Sequence, residues 1–157
     1  MTELVANFER GQLNAQDPLN ENFKIQNLIN QSLKEYINEL NTMTKYNLPS
    51  NIINGGSIRA ISRGGVVIIS GSGQLAKNIA FGEIIIEDLG EAFKNIGEGN
   101  AVFTGAVTGN APAQLYVEYN SSRLRSNTAM TKGQWLTIGG SYLTNVPTLD
   151  IEKIIEN

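Results

Sequence analysis

The chain has 157 residues, enough for one domain with an appendage. Only 17% of them are charged and the net charge is −3, so the polarity comes from Asn, Ser, Thr, Gln and 16 glycines. That balance lacks the clustered Lys and Arg of a nucleic-acid partner, and the absence of histidine and cysteine excludes Ser-His-Asp and Cys-His catalysis, imidazole metal sites and disulfides.

Residues 1–16 are polar and mixed and read as an N-terminal attachment segment. Met1-Thr2-Glu3-Leu4 has neither the basic nor the apolar region of a secretory leader, and no apolar run is long enough to span a membrane. Folding in a cytoplasm, with no membrane partner, is the expectation.

A helix is predicted over residues 17–48. Asp17 can accept hydrogen bonds from the free N–H groups of the first turn, and Pro18 suits the first helical position. No Gly or Pro follows until Pro49, which disfavours helical geometry at Leu48. A helix of roughly 29 residues would be about 43 Å long at 1.5 Å per residue. Ile29, Leu33, Tyr36, Leu40 and Met43 alternate steps of four and three residues, the spacing of a coiled-coil seam. Phe23, Ile25, Leu28 and Ile37 broaden it. A helix this polar is marginal alone in water, so it either packs on its own head or self-associates as a stalk.

Residues 49–157 change character and predict a β-rich head. Short β-prone runs follow one another at Ser57–Arg63, Val66–Ser70, Glu83–Leu89, Ala101–Val107, Gln114–Tyr119 and Trp135–Leu143. Arg63-Gly64-Gly65-Val66 predicts a tight hairpin, because glycine supplies the positive φ angles such turns need. Many short strands imply a sandwich or jelly roll. The fold class is therefore mainly β with an N-terminal α-helix.

Val66-Val67-Ile68-Ile69-Ser70 followed by Gly71-Ser72-Gly73-Gln74-Leu75-Ala76 spells a strand running into G-x-G-x-x-A, the fingerprint of a dinucleotide site. That chemistry needs a helix whose N-terminus faces the pyrophosphate, and only Gln74–Phe81 is free to form one. A Gly-rich β-hairpin is the simpler reading, with a small nucleotide-binding domain as the alternative. Glu83, Glu87, Asp88, Glu91, Glu98 and Glu118 are the carboxylates of the head, and no spacing among them selects the facing pair a glycosidase needs. No enzyme activity, cofactor or metal is expected. Tyr116, Tyr119, Trp135 and Tyr142 cluster in the C-terminal third, with the flat face and polar tip used to stack on sugar rings and to anchor interfaces. Most such residues are core, and Trp135 or Tyr142 is expected there. Tyr119, Asn120, Arg123 and Arg125 are the leading candidate site: a hairpin turn meets two basic side chains that share one side of an extended segment. Two aligned guanidinium groups can grip a phosphate, although a solvated strand edge reads equally well.

Three stretches of the head and one that runs into the helix carry a resemblance. Gly11 to Phe23 (Gly-Gln-Leu-Asn-Ala-Gln-Asp-Pro-Leu-Asn-Glu-Asn-Phe) resembles the opening of many phage tail proteins. Gly56 to Val67, Gln114 to Leu124, and Trp135 to Thr144 resemble successive strands of the receptor-binding and baseplate heads of tailed phages of Gram-positive bacteria. Leu89-Gly90-Glu91-Ala92-Phe93 stands where those heads often carry a proline-containing loop. The resemblance implies a homotrimer that binds host cell-wall polysaccharide or teichoic acid. It also implies that the N-terminal segment contacts other tail or baseplate proteins, and that the protein resides in the virion after assembly in the bacterial cytoplasm. The alternative it leaves is a structural adaptor of the baseplate that touches no glycan.

Overall fold

The computed structural model describes residues 16–146 together with 148 and 149. Residues 1–15, which hold all but the last residue of the expected attachment segment and the first five of the Gly11–Phe23 stretch, lie outside the described residues. The chain divides into two compact units, one holding the helix and the other spanning Thr42–Val146. It is mainly β, with one N-terminal helix and one curled antiparallel sheet.

Helix α1 (Gln16–Asn41) has 26 residues, about 39 Å at 1.5 Å per residue. It opens one residue before Asp17 and ends seven residues before the expected stop at Leu48. The Asn41 side-chain amide donates 2.9 Å to the Ile37 carbonyl, satisfying one of the acceptors that a helix end leaves free. The chain then turns extended as β1 (Thr44–Asn47), so Met43 lies beyond the helix and cannot continue its seam. Tertiary pairing overrides the helical pattern here. Thr44, Lys45, Tyr46 and Asn47 pair with Ser62, Ile61, Ala60 and Arg59, and Tyr46 packs edge-on against Phe93. Within α1, Ile29, Tyr36 and Leu40 are half-buried, whereas Phe23, Leu28, Leu33 and Ile37 are exposed. Among the described residues no helix is long and apolar enough to cross a membrane.

The second unit contains β2 (Ile53–Arg63), β3 (Val66–Leu75), β4 (Ile84–Ile86), β5 (Ala101–Val107), β6 (Ala111–Val117), β7 (Leu124–Ser126) and β8 (Trp135–Leu143). The strands expected to divide between two packed sheets are instead hydrogen-bonded into one, in the order β1-β2-β3-β8-β5-β6-β7-β4. β8 joins the two halves. It pairs with β3 from Gln74↔Trp135 to Val66↔Leu143, and with β5 from Val107↔Leu136 to Thr104↔Gly139. β7 and β1 are the strands absent from the sequence reading. β2 and β3 extend beyond the predicted runs, and β4 is shorter than its run.

One face of the sheet is buried. Ile58, Ala60, Val67, Ile69, Phe103, Leu115, Val117, Leu124, Leu136 and Ile138 alternate with exposed residues along their strands, as a pleated strand with one apolar face requires. The connection from β3 to β5 adds Ile79, Ile85, Leu89 and Phe93 to the same core. Leu89–Phe93 ends in a 3-10 turn, Glu91–Phe93. Tyr142 is buried as expected. Its ring meets Phe103 at 5.7 Å between centroids, its hydroxyl donates 2.6 Å to the Phe93 carbonyl, and burial pushes its pKa up.

The turn between β2 and β3 has φ of 56° at Gly64 and 78° at Gly65, the double positive of the predicted hairpin. The G-x-G-x-x-A run lies inside and just after β3, and no helix follows it. The nucleotide-site alternative therefore lacks the helix N-terminus it depends on. Gly73 and its neighbours serve instead to bring β2 and β3 close. At Gly56, with φ of 75°, a Cβ would collide with the Ser72 carbonyl oxygen and lie 2.9 Å from Gly73 Cα. Both obstacles are backbone, so neither can rotate away.

Gly82 provides the control, because φ is also 75° there but nothing lies within 4 Å of the position a Cβ would take. Gly82→Ala should cost about 1–2 kcal/mol, the price of a left-handed alanine. Gly56→Ala should cost clearly more, roughly 3 kcal/mol or above, since a backbone collision adds to the same φ strain. Urea denaturation of the two variants measures the difference, and equal midpoints would show that β2 and β3 are free to separate at this point.

Candidate functional site

The hairpin joining β6 to β7 carries the four residues singled out by sequence. Val117 pairs with Leu124, and the Glu118 amide donates 3.1 Å to the Arg123 carbonyl. Asn120 takes φ of 52° at the tip, a left-handed conformation that Asn tolerates better than most residues. Tyr119 and Asn120 are exposed, with Tyr119 at 59%.

A residue not singled out by sequence holds this hairpin. Asn95 is buried, and its side-chain amide donates 2.8 Å to the Gly99 carbonyl and 3.3 Å to the Val117 carbonyl. Its Oδ1 accepts from Gly97 N–H at 2.9 Å, and its own N–H donates 2.8 Å to the Ser121 carbonyl. The Asn-x-Gly spacing of Asn95 and Gly97 is the legible signal of such a side-chain-closed turn. Asn100 Oδ1 accepts from Tyr119 N–H at 2.9 Å. Asp88 Oδ1 accepts from Ser122 Oγ and, at 2.7 Å, from Gly90 N–H. Those two bonds, Ser122 first, hold the Asp88 carboxyl below its ordinary range.

Arg123 and Arg125 do share one side, and Glu118 lies between them. Glu118 Oε1 accepts from Arg125 Nη1 at 2.8 Å, and its Oε2 accepts from Arg123 Nη1 at 3.1 Å. Arg123 Nη2 also donates 2.5 Å to Glu87 Oε1. Two guanidinium groups thus face two carboxylates, with no net positive charge among the four. A phosphate would have to displace carboxylates that already occupy the donors. The hydrogen bond that Arg123 donates to Glu87, then the charge of that carboxylate, raises the pKa of Arg123 above its ordinary value. Elsewhere Glu83 pairs with Lys77 at 2.7 Å and accepts from Ala80 N–H, which together lower its pKa. Among the described residues, no three carboxylates converge as a metal cage requires.

Trp135 departs from expectation. It is 47% exposed, on the face of the sheet opposite the core. It stands in phase with Thr137, Gly139 and Ser141, while Leu136, Ile138 and Tyr142 point inward, so strict alternation along β8 carried the signal. Trp135 pairs with Gln74, and its indole reaches across β3 to β2. Cη2 lies 4.0 Å from where a Cβ on Gly55 would be, and Cζ3 lies 3.0 Å from where one on Gly56 would be. Beside it, Ser72 Oγ and Thr137 Oγ1 share a hydrogen bond of 2.8 Å. Gln74 Nε2 donates 3.1 Å to the Gly133 carbonyl, and Trp135 N–H donates 2.8 Å to Thr108 Oγ1.

Glu118→Ala should leave Arg123 and Arg125 facing each other without their shared carboxylate. A lower thermal midpoint is expected for it than for Tyr119→Ala, whose side chain is exposed. The two lowered carboxyl pKa values also set an acid dependence. A carboxylate with a depressed folded pKa adds stability above its unfolded value and loses it as pH falls through the folded value. Thermal melts taken from about pH 6 to about pH 3 should decline below about pH 4, and less so in an Asp88→Asn, Glu83→Gln double variant.

Neither a protein-family model nor a curated protein matches the sequence. Among solved structures, the chain is similar to the crystal structure of the receptor binding protein (gp15) of Listeria phage PSA. The TM-score is 0.49 and the identity 17%, over 89% of this chain and 99% of that one.

Proposed function

We propose that this chain is a receptor-binding protein of a bacteriophage tail, a homotrimer whose β-rich head adheres to a saccharide of the host cell wall. Its N-terminal segment docks on other tail or baseplate proteins. It is an adhesin and not an enzyme, it takes no cofactor, and it engages neither nucleic acid nor membrane. It is a virion component that assembles in the bacterial cytoplasm.

The observation that carries this reading is α1. Phe23, Leu28, Leu33 and Ile37 stay exposed in the single chain, on a helix whose other exposed positions are mostly Asn, Gln, Glu and Lys. Such a helix is marginal in water until other chains cover its apolar side. A self-associating helix that leads within a few residues into a β head is an arrangement for multivalent display. The number three comes from the resemblance of the head strands to those of phage receptor-binding heads. The pairing of Arg123 and Arg125 with Glu118 and Glu87 favours a neutral ligand over a phosphate at the β6–β7 hairpin. Each single site would be weak, and three per trimer with many trimers per tail would raise avidity by orders of magnitude.

Leu33→Asp should disperse the trimer or shift its dissociation to much higher concentration. Lys34→Asp, on the polar side of the same helix, should leave it intact. Burying an unpaired carboxylate in each chain at a shared contact costs several kcal/mol. Light scattering at micromolar concentration reads the mass, and sedimentation with purified Gram-positive cell walls reads adhesion. A monomer in the unaltered protein would overturn the stalk. A trimer that ignores every wall while holding another tail protein would favour the structural adaptor.

A further inference from the structure

The geometry points to a second surface as the saccharide platform: the indole of Trp135, set on Gly55 and Gly56 and bordered by Ser72, Gln74, Thr108 and Thr137. The ligand class is a neutral pyranose, a hexose or N-acetylhexosamine unit of a polysaccharide. This rests on the adhesin reading above and narrows it to one face of the sheet, away from the β6–β7 hairpin.

Four observations converge. The first is position. A tryptophan on the solvent face of a central strand leaves nearly half its surface uncovered, although its size and apolarity favour burial. The second is the mounting. The indole's far edge lies over two residues with no side chain, and a Cβ on Gly56 would come within 3.0 Å of it, so the glycines give the ring its seat against the sheet. A ring seated against the sheet loses less freedom than one standing free when a ligand stacks on it. The third is the border. Ser72 and Thr137 place two hydroxyls 2.8 Å apart, and each can donate or accept. Gln74 adds an amide from the position paired with the indole. The fourth is charge. β3, β5, β6 and β8 carry no charged residue, and the two cations of β2, Arg59 and Arg63, lie three and seven residues beyond Gly56, with the Arg59 guanidinium donating to Ser57 Oγ.

A pyranose presents an apolar patch of C–H bonds on one ring face and hydroxyls around its rim. It therefore needs a flat apolar support with neutral donors and acceptors beside it, and that is what these residues provide. A protein partner would call for a continuous apolar surface. The exposed apolar residues of β3 and β8, Val66, Ile68 and Leu143, instead lie at the opposite end of those strands, about 20–27 Å away at 3.3–3.4 Å per residue.

Trp135 is the chain's only tryptophan, so indole emission excited selectively over the five tyrosines reports this site alone. The full chain is titrated at millimolar levels with glucose, galactose, rhamnose and N-acetylglucosamine, with and without added salt, and its sedimentation with cell walls is measured in parallel. Expected is a saturable change in emission with at least one sugar, indifferent to salt. Trp135→Ala should weaken wall binding at least roughly tenfold, while Trp135→Tyr keeps a stacking face and retains part of it. Circular dichroism of both variants shows that they fold. Unaltered wall binding by folded Trp135→Ala, or unchanged emission with all four sugars while the unaltered protein still binds walls, overturns the platform and leaves the adhesin reading standing. No binding of the unaltered protein to any wall overturns both.

Discussion

The insertion of β8 between β3 and β5 holds the sheet together. Without it the chain has two fragments, β1-β2-β3 and β5-β6-β7-β4, with no backbone hydrogen bonds between them. A lone hairpin is marginal in water, and a sheet with one apolar face must cover that face. β8 meets both needs. It supplies Leu136, Ile138 and Tyr142 to the core, and its outer side continues the polar surface from β3 to β5. Because β8 closes the described sheet, its pairings with β3 span long sequence separations, and contacts of that kind slow folding.

The same architecture separates two chemical environments. On the side of β7 and β4 the charges are dense and internally matched: Arg123 and Arg125 with Glu118 and Glu87, and Lys77 with Glu83. These pairs are partly exposed and contribute little to stability singly. They do spend the charge locally, so little of it is left to attract an ionic ligand. The face of β3, β8 and β5 bears hydroxyls, an amide and one indole. A surface of that kind recognises by shape and hydrogen bonding, and added salt should alter such recognition little.

Legibility in the sequence followed the range of the interaction. Ala101–Val107 and Trp135–Leu143 are strands over the residues their alternation marks, and Gly64-Gly65 forms the hairpin that glycine pairs favour, because these signals are local. Thr44–Asn47 was hidden in a helical pattern, since its reason for being extended lies in Arg59–Ser62. The partners of Arg123 were equally remote: Glu118 is five residues back and Glu87 thirty-six, and strand spacing alone foretells neither. Trp135 is different. Period-two alternation with Leu136 and Ile138 already put it outside, and the general tendency of tryptophan to be buried was the weaker guide. Asn95 was readable from its Asn-x-Gly spacing, but the spacing shows only the turn, and the hairpin it anchors comes from the fold.

The sheet ends in β1 and β4, of four and three residues. A free edge is a template onto which a strand of another molecule can add, and the length of the edge limits how many hydrogen bonds the newcomer can make. Four residues with a lysine among them, and three with a register irregularity, offer few. At these two strands, molecules held side by side at high local density would find only short seams along which to zip into fibres. Crowding should therefore leave them discrete, each sheet finishing where its own chain finishes it.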